Sequence, residues 1–372
     1  MKKYILIGLI IAVSHCNAQT TVIDSIFYGG QYRSYIAYIP AIYNGNTAVP
    51  LLYNLHGYTS NAAQQIFYGD FRPIADTANF IVVQPNGTFN QGVRFWNAFY
   101  QGPPNDLAFL NALVDSLKLS YSIDENRLYM CGMSNGGIMS YYVACDPNNR
   151  FAAVGSVTGT MDTAFFAGCN PSRPTPVIEI HGDADGTVPF GGGASFIAID
   201  TVMKYWSNIN GTNNTPVVNI YPDIVLNDFC TATEYAYLNG INNSEAVLVK
   251  INGGAHTWPG ASIIFAVTNQ DFSASVRIWN FFRRYKRNLL SGLRESLPVT
   301  NKLKIYPNPS QTYITIQSSS NQKVETIIFD MYGSVVKTIS VTDVQKSIYI
   351  GNLAPGIYTV VAGSDITKFI KY

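Results

Sequence analysis

The chain has 372 residues, 47% of them hydrophobic and only 13% charged, with Lys+Arg 24 against Asp+Glu 23 and a formal net charge of +1. At roughly 100–200 residues per domain this allows two or three domains, and a charged fraction below the usual value of about 25% excludes wholesale disorder. The near-neutral balance leaves no electrostatic footprint for nucleic acid or for an anionic membrane. The 25 Tyr and 20 Phe suit surfaces that stack on sugars or aromatic rings, although a compositional bias of the lineage would give the same count.

Lys2 and Lys3 precede an apolar run over residues 4–13, and the chain turns polar just after it. Such a run is too short for a bilayer, which needs about 20 residues; it reads as a signal peptide, residues 1–18, cleaved after Ala18. Lipidation of Cys16 is the rival, disfavoured by His15 before it. No other segment reads as transmembrane, so the mature protein is expected outside the cytoplasm. Cys131, Cys145, Cys169 and Cys230 then remain, and four cysteines in an exported protein permit three full pairings. Cys131 lies in a strand-like run and is expected as a buried thiol, and Cys145 with Cys169 is the preferred bridge. None has metal-ligand spacing, and no metal is expected.

Residues 19–288 alternate short apolar runs with helical stretches. Runs at 50–55, 80–84, 127–131, 152–157, 176–180 and 245–251 are nearly continuous, as strands buried on both faces require. Between them, residues 106–119 place Leu107, Leu110, Leu113, Val114 and Leu117 on one stripe, and 194–206 and 273–285 read similarly. This alternation predicts a doubly wound, mostly parallel α/β sheet. Residues 289–300 form a linker. Beyond it, residues 301–372 switch to period two around Tyr313, Val324, Ser347 and Gly356, as expected of a small antiparallel β-sandwich.

Gly132-Met133-Ser134-Asn135-Gly136 fits G-x-S-x-G between a strand run and a helix-compatible stretch, the setting of a nucleophile elbow. A serine hydroxyl needs a base to remove its proton. In a hydrolase of this kind the chain order is Ser, acid, His, which excludes His56, while His181 leaves little room for an acid. His256, in a glycine-rich loop after the last apolar strand, is the expected base. The acid must orient it; Asp183 and Asp185 both follow the strand at 176–180, and spacing alone does not choose between them. A calcium loop is the weaker reading of that run, because the later ligands are missing. His56-Gly57-Tyr58 ends an early strand, so the backbone N–H groups of Tyr58 and Asn135 are assigned to the oxyanion hole, with His56 bracing the loop. Phe95, Trp96, Phe99 and Tyr100 either wall a pocket or belong to the core; Trp96 among them and Trp258, beside the base, are the pocket candidates.

At residues 132–137 (GMSNGG), 181–189 (HGDADGTVP) and 256–260 (HTWPG) the chain resembles the extracellular esterase family of feruloyl esterases and polyhydroxybutyrate depolymerase-like proteins. The resemblance implies the α/β-hydrolase fold and cofactor-free hydrolysis of a carboxylic ester. It places the triad acid at Asp185, with Ser134 and His256 completing the triad. Ala255 and Asp183 depart from the family's common residues. The tail resembles the C-terminal sorting domain of the type IX secretion system of Bacteroidetes, on Ile305-Tyr306-Pro307-Asn308-Pro309, on residues 353–358 (LAPGIY), and on Lys368 and Lys371. That implies the secretion machinery as partner, removal of the tail, and a secreted or cell-surface location. The expected substrate is a feruloyl or acetyl ester of plant polysaccharide; the alternatives are a polyhydroxyalkanoate polyester, a peptide, or a non-catalytic surface-binding role.

Overall fold

The structure is a computed structural model that describes residues 19–98, 104–287, 303–318, 324–330, 335–341, 345–362 and 365–372. The expected signal peptide and linker, and the aromatics Phe99 and Tyr100, lie outside the described residues. The chain divides into two compact units, Met1–Leu289 and Leu290–Tyr372. Among the described residues no helix is long and apolar enough to cross a membrane.

The first unit runs β1 (Thr20–Tyr28), β2 (Gln31–Ile39), β3 (Val49–Leu55), α1 (Ala62–Tyr68), α2 (Arg72–Ala78), β4 (Ile81–Pro85), β5 (Thr88–Asn90), β6 (Val93–Phe95) and α3 (Asp106–Lys118). It continues with β7 (Ile123–Met133), α4 (Asn135–Ala144), β8 (Ala153–Val157), α5 (Thr163–Phe166), β9 (Val177–Gly182) and α6 (Ile199–Asn210). The last elements are β10 (Val217–Ile220), β11 (Thr231–Tyr237), β12 (Ala246–Asn252) and α7 (Ala274–Phe282). Ten of these strands form one sheet in the order β1-β2-β4-β3-β7-β8-β9-β12-β11-β10. The six from β4 to β12 are parallel, and antiparallel strands close both edges.

The apolar runs form central strands because both faces are covered. In β7, Leu128 and Met130 enter one core with helices α3, α4 and α6, while Tyr129 and Cys131 enter another with α2 and α7. β12 divides the same way, Leu248 to the first core and Val247 and Val249 to the second. Period two is therefore present inside a run that reads as uniformly apolar. Helix α6 buries Ile199, Val202, Met203 and Trp206, an i, i+3, i+4, i+7 stripe. It begins later than the stretch expected from sequence and runs on to Gly211, whose φ of 64° supplies the left-handed stop.

The second unit carries β13 (Leu303–Tyr306), β14 (Tyr313–Ser318), β15 (Val324–Phe329), β16 (Val335–Val341), β17 (Gln345–Tyr349), β18 (Gly356–Ala362) and β19 (Asp365–Lys371). They form two antiparallel sheets, β13-β14-β17 and β16-β15-β18-β19. Ile314, Ile316 and Ile348 of one share a core with Ile328, Val360 and Phe369 of the other, which makes the unit an all-β sandwich.

Candidate active site

Parallel strands send their C-terminal ends to one edge of the sheet, where ligands of open α/β folds bind. Ser134 follows β7, Asp185 follows β9 and His256 follows β12, so three segments far apart in sequence rise at that edge. Ser134 has φ 53° and ψ −117° and is the N-cap of α4, yet its side chain makes no capping hydrogen bond. A non-glycine residue at positive φ is strained, and here the strain turns the side chain out of the strand while Ser134 N donates to Val157 O at 2.8 Å. The neighbouring glycines permit the approach: a Cβ on Gly136 would stand 2.8 Å from His56 O, and a Cβ on Gly57 would touch Ser134 Cβ at 3.6 Å.

His256 Nδ1 donates to Asp185 Oδ2 at 2.7 Å. The other carboxylate oxygen accepts Thr187 N at 2.8 Å and Val188 N at 2.9 Å. Burial works against the Asp185 charge, but the hydrogen bond and charge of His256, the Val188 N–H and nearby His181 outweigh it and hold the carboxyl below the usual carboxylate range. Asp183, the other candidate, instead accepts Gly253 N at 2.7 Å and pairs with Lys250 at 3.1 Å, bracing the loop that carries His256. The structure thus joins His256 to Asp185; among the described residues no hydrogen bond runs from Ser134 Oγ to His256. Such bonds are often long before substrate arrives.

The loop after β3 lies against the elbow. His56 is buried and accepts Gly87 N at 3.0 Å on Nε2, so Nδ1 carries the proton and donates to Gly57 O at 2.7 Å. Burial lowers its pKa to about 4, which keeps the ring neutral. His56 therefore fastens Gly57, next to Tyr58, to the turn after β4. The Asn135 amide clamps Trp96, Oδ1 accepting its N–H at 2.6 Å and Nδ2 donating to its carbonyl at 3.0 Å.

Two expectations need correction. Trp96 is 0% exposed and donates Nε1–H to His56 O at 3.0 Å; it supports the loop after β3 from beneath and is no pocket wall. Trp258 is 1% exposed, packs on Phe71 and donates to Ser275 Oγ at 3.2 Å, so it is a core side chain. Both indoles reach a hydrogen-bond acceptor inside the protein, which removes the usual reason for keeping one end wet. Cys145 and Cys169 form a disulfide, and Cys131 and Cys230 are buried free thiols.

Sequence reasoning weighed His181 only as a candidate base and passed over Glu179. Both are fully buried on β9, with His181 Nδ1 3.0 Å from Glu179 Oε1 and Nε2 2.8 Å from Val188 O and 3.5 Å from Asp185 Oδ2. Tyr141 of α4 donates to Glu179 Oε2 at 2.9 Å. The signal was available: an acid and an imidazole inside an otherwise apolar run demand partners.

A groove of about 510 Å³ opens beside the loop after β3, lined among others by Thr59, Ser60, Asn61, Phe89 and Arg94. Phe89 is exposed there and stacks on the Arg94 guanidinium at 4.2 Å.

Residues 304–371 match the secretion system C-terminal sorting domain family, and residues 73–170, which include Ser134, match the prolyl oligopeptidase family. Feruloyl esterase B of Piromyces equi is 26% identical over 239 residues, covering 60% of this chain and 42% of that protein. The bifunctional acetylxylan esterase/xylanase of Neocallimastix patriciarum is 30% identical over 156 residues, covering 42% of this chain and 22% of that protein. The chain thus spans less than half the length of these two relatives. The acetyl xylan esterase from Aspergillus awamori superposes with a TM-score of 0.53 at 12% identity, over 71% of this chain and 99% of that one.

The larger unit has the α/β-hydrolase fold. In sequence the chain is similar to feruloyl and acetylxylan esterases. Its end is a type IX sorting domain, which directs a chain to the cell surface or the extracellular space.

Proposed function

We propose that this protein hydrolyses carboxylic esters through an acyl-enzyme, with Ser134 as nucleophile, His256 as base and Asp185 as the acid that orients it. The observation that carries this reading is the 2.7 Å hydrogen bond between His256 and Asp185 at the strand edge that also bears the strained Ser134 turn. In the proposed sequence Ser134 Oγ attacks the ester carbonyl and its proton passes to His256 Nε2. The tetrahedral oxyanion rests on the N–H groups of Tyr58 and Asn135, each such donor contributing about 3–4 kcal/mol. His256 returns the proton to the departing alcohol, then activates the water that releases the acid. The sorting domain is cleaved after export.

The proposed substrates are feruloyl or acetyl esters of plant polysaccharide. The names of the relatives support this, as does a groove that pairs polar side chains with the exposed Phe89 ring beside the oxyanion loop. A second reading, peptide hydrolysis, draws on the prolyl oligopeptidase match. The deciding experiment is a panel of methyl ferulate, acetylated xylan, a nitrophenyl ester and a proline-containing peptide, run on the wild type and Ser134→Ala. Ester turnover that falls at least about a thousandfold in the variant supports the proposal; peptide cleavage without ester turnover supports the second reading.

A further inference from the structure

We propose that the buried Glu179–His181 pair is a positioning device for the base: it fixes the Asp185 loop and places the edge of a protonated imidazole behind the Asp185 carboxylate, thereby setting the basicity of His256 without touching substrate. This rests on the triad assignment above and goes beyond it.

The contacts of the pair carry it. Both nitrogens of His181 face acceptors, Glu179 Oε1 on one side and Val188 O with Asp185 Oδ2 on the other. A neutral imidazole has one N–H, so the pair must share an additional proton between ring and carboxylate. Burial raises the Glu179 pKa, but the Tyr141 hydrogen bond opposes this and favours the carboxylate, and the Asp185 carboxylate on the far side favours the imidazolium. Burial acts against charge on His181, but Glu179, the Val188 carbonyl and Asp185 together raise its pKa above the usual histidine value.

The same contacts explain the geometry. His181 holds the Val188 carbonyl while the Val188 N–H holds Asp185 Oδ1 at 2.9 Å, so the ring and the acid grip one peptide from both sides. Tyr141 extends the network to α4, the helix that starts at the nucleophile. The other charged groups near the ring are accounted for: Lys250 lies opposite His181 in the β9–β12 register, but its ammonium is bound to Asp183 at 3.1 Å. A buried ion pair is weak support for stability, because apolar residues of similar volume often serve as well. Its position directly behind the acid therefore points to function.

The test is an NMR titration of the imidazole resonances of the full chain, which has only four histidines, with His256→Ala to assign the signal. Wild type is compared with Glu179→Gln, His181→Gln and the milder Tyr141→Phe. Removing the positive edge behind Asp185 should raise the His256 pKa by about half a unit or more, with Tyr141→Phe moving it the same way by less. In nitrophenyl ester assays kcat should fall about tenfold or more with KM within about twofold, and the acid limb of kcat/KM should move to higher pH. If His256 titrates as in the wild type in the folded variants, the proposal is overturned, even where melting temperatures drop. Should both core variants fail to fold, Tyr141→Phe decides alone. The titration needs no turnover, so an inactive wild type sinks the esterase reading while the positioning role is still judged.

Discussion

Asp185→Asn is the substitution whose effect follows most directly from the geometry. The carboxylate accepts three N–H groups, those of Thr187 and Val188 on Oδ1 and of His256 on Oδ2. An asparagine keeps the first two with its carbonyl oxygen, so the loop stays folded. Its amide then presents N–H to His256 Nδ1, which must become the acceptor. The ring proton moves to Nε2, the atom that has to receive the Ser134 proton. In the serine-hydrolase template this tautomer error lowers kcat about 10⁴-fold, equivalent to about 5.5 kcal/mol of barrier. The assay is steady-state turnover of a nitrophenyl ester with the melting temperature recorded alongside. Asp183→Asn is the control, because that side chain only braces Gly253 and Lys250, and its kcat should stay within about tenfold of wild type. A folded Asp185→Asn protein with near wild-type kcat would refute the assignment of the acid.

Other outcomes follow from the same contacts. Asp185 has a depressed pKa in the folded state, so it contributes stability above the unfolded carboxylate value of about 3.9 that is lost as pH falls through the folded value; the melting temperature of Asp185→Asn should depend less on pH below about 4. His56 titrates near 4 when folded against about 6.5 unfolded. The unfolded chain therefore binds the extra proton first, and stability should fall as pH drops from about 6.5 to 4; His56→Gln should flatten that slope in thermal melts. Replacing Cys145 and Cys169, which are 24 residues apart, by serine should cost about 3 kcal/mol, read as a melting point lower by on the order of 10 °C. Gly136→Ala should impair both folding and turnover, since its Cβ would press on the backbone carbonyls of Leu55 and His56, which cannot give way as a side-chain tip can.

The central strands and the helices α3 and α7 were legible because each buries a long apolar run or stripe, and the elbow because its glycines stand between such a run and a helix. Less legible elements carry little of that signal. Strand β1 is exposed at most positions and β10 at all four, as sheet-edge strands are; helices α1 and α2 have seven residues each, too few for a periodic stripe, and are fixed by an Asn61 cap and a proline in the first turn. At the site, chain order was enough to nominate Ser134 and His256, but the choice between Asp183 and Asp185 needed either resemblance or coordinates, since two carboxylates two residues apart differ only in which loop they meet. Trp96 and Trp258 were misplaced because composition reveals an aromatic ring and not which side of it is wet. The pairing of Glu179 with His181 went unnoticed because both sit in a strand that reads as core, where only packing shows that the pair lies against Asp185.

The central claim is that Ser134, His256 and Asp185 act as one unit. Reaction of the protein with a fluorophosphonate, followed by peptide mapping of wild type and His256→Ala, tests it most directly. A single adduct on Ser134, forming at least about a hundredfold more slowly in the variant, is the expected result. An adduct on another residue, or labelling of Ser134 that proceeds equally fast without His256, would contradict the account.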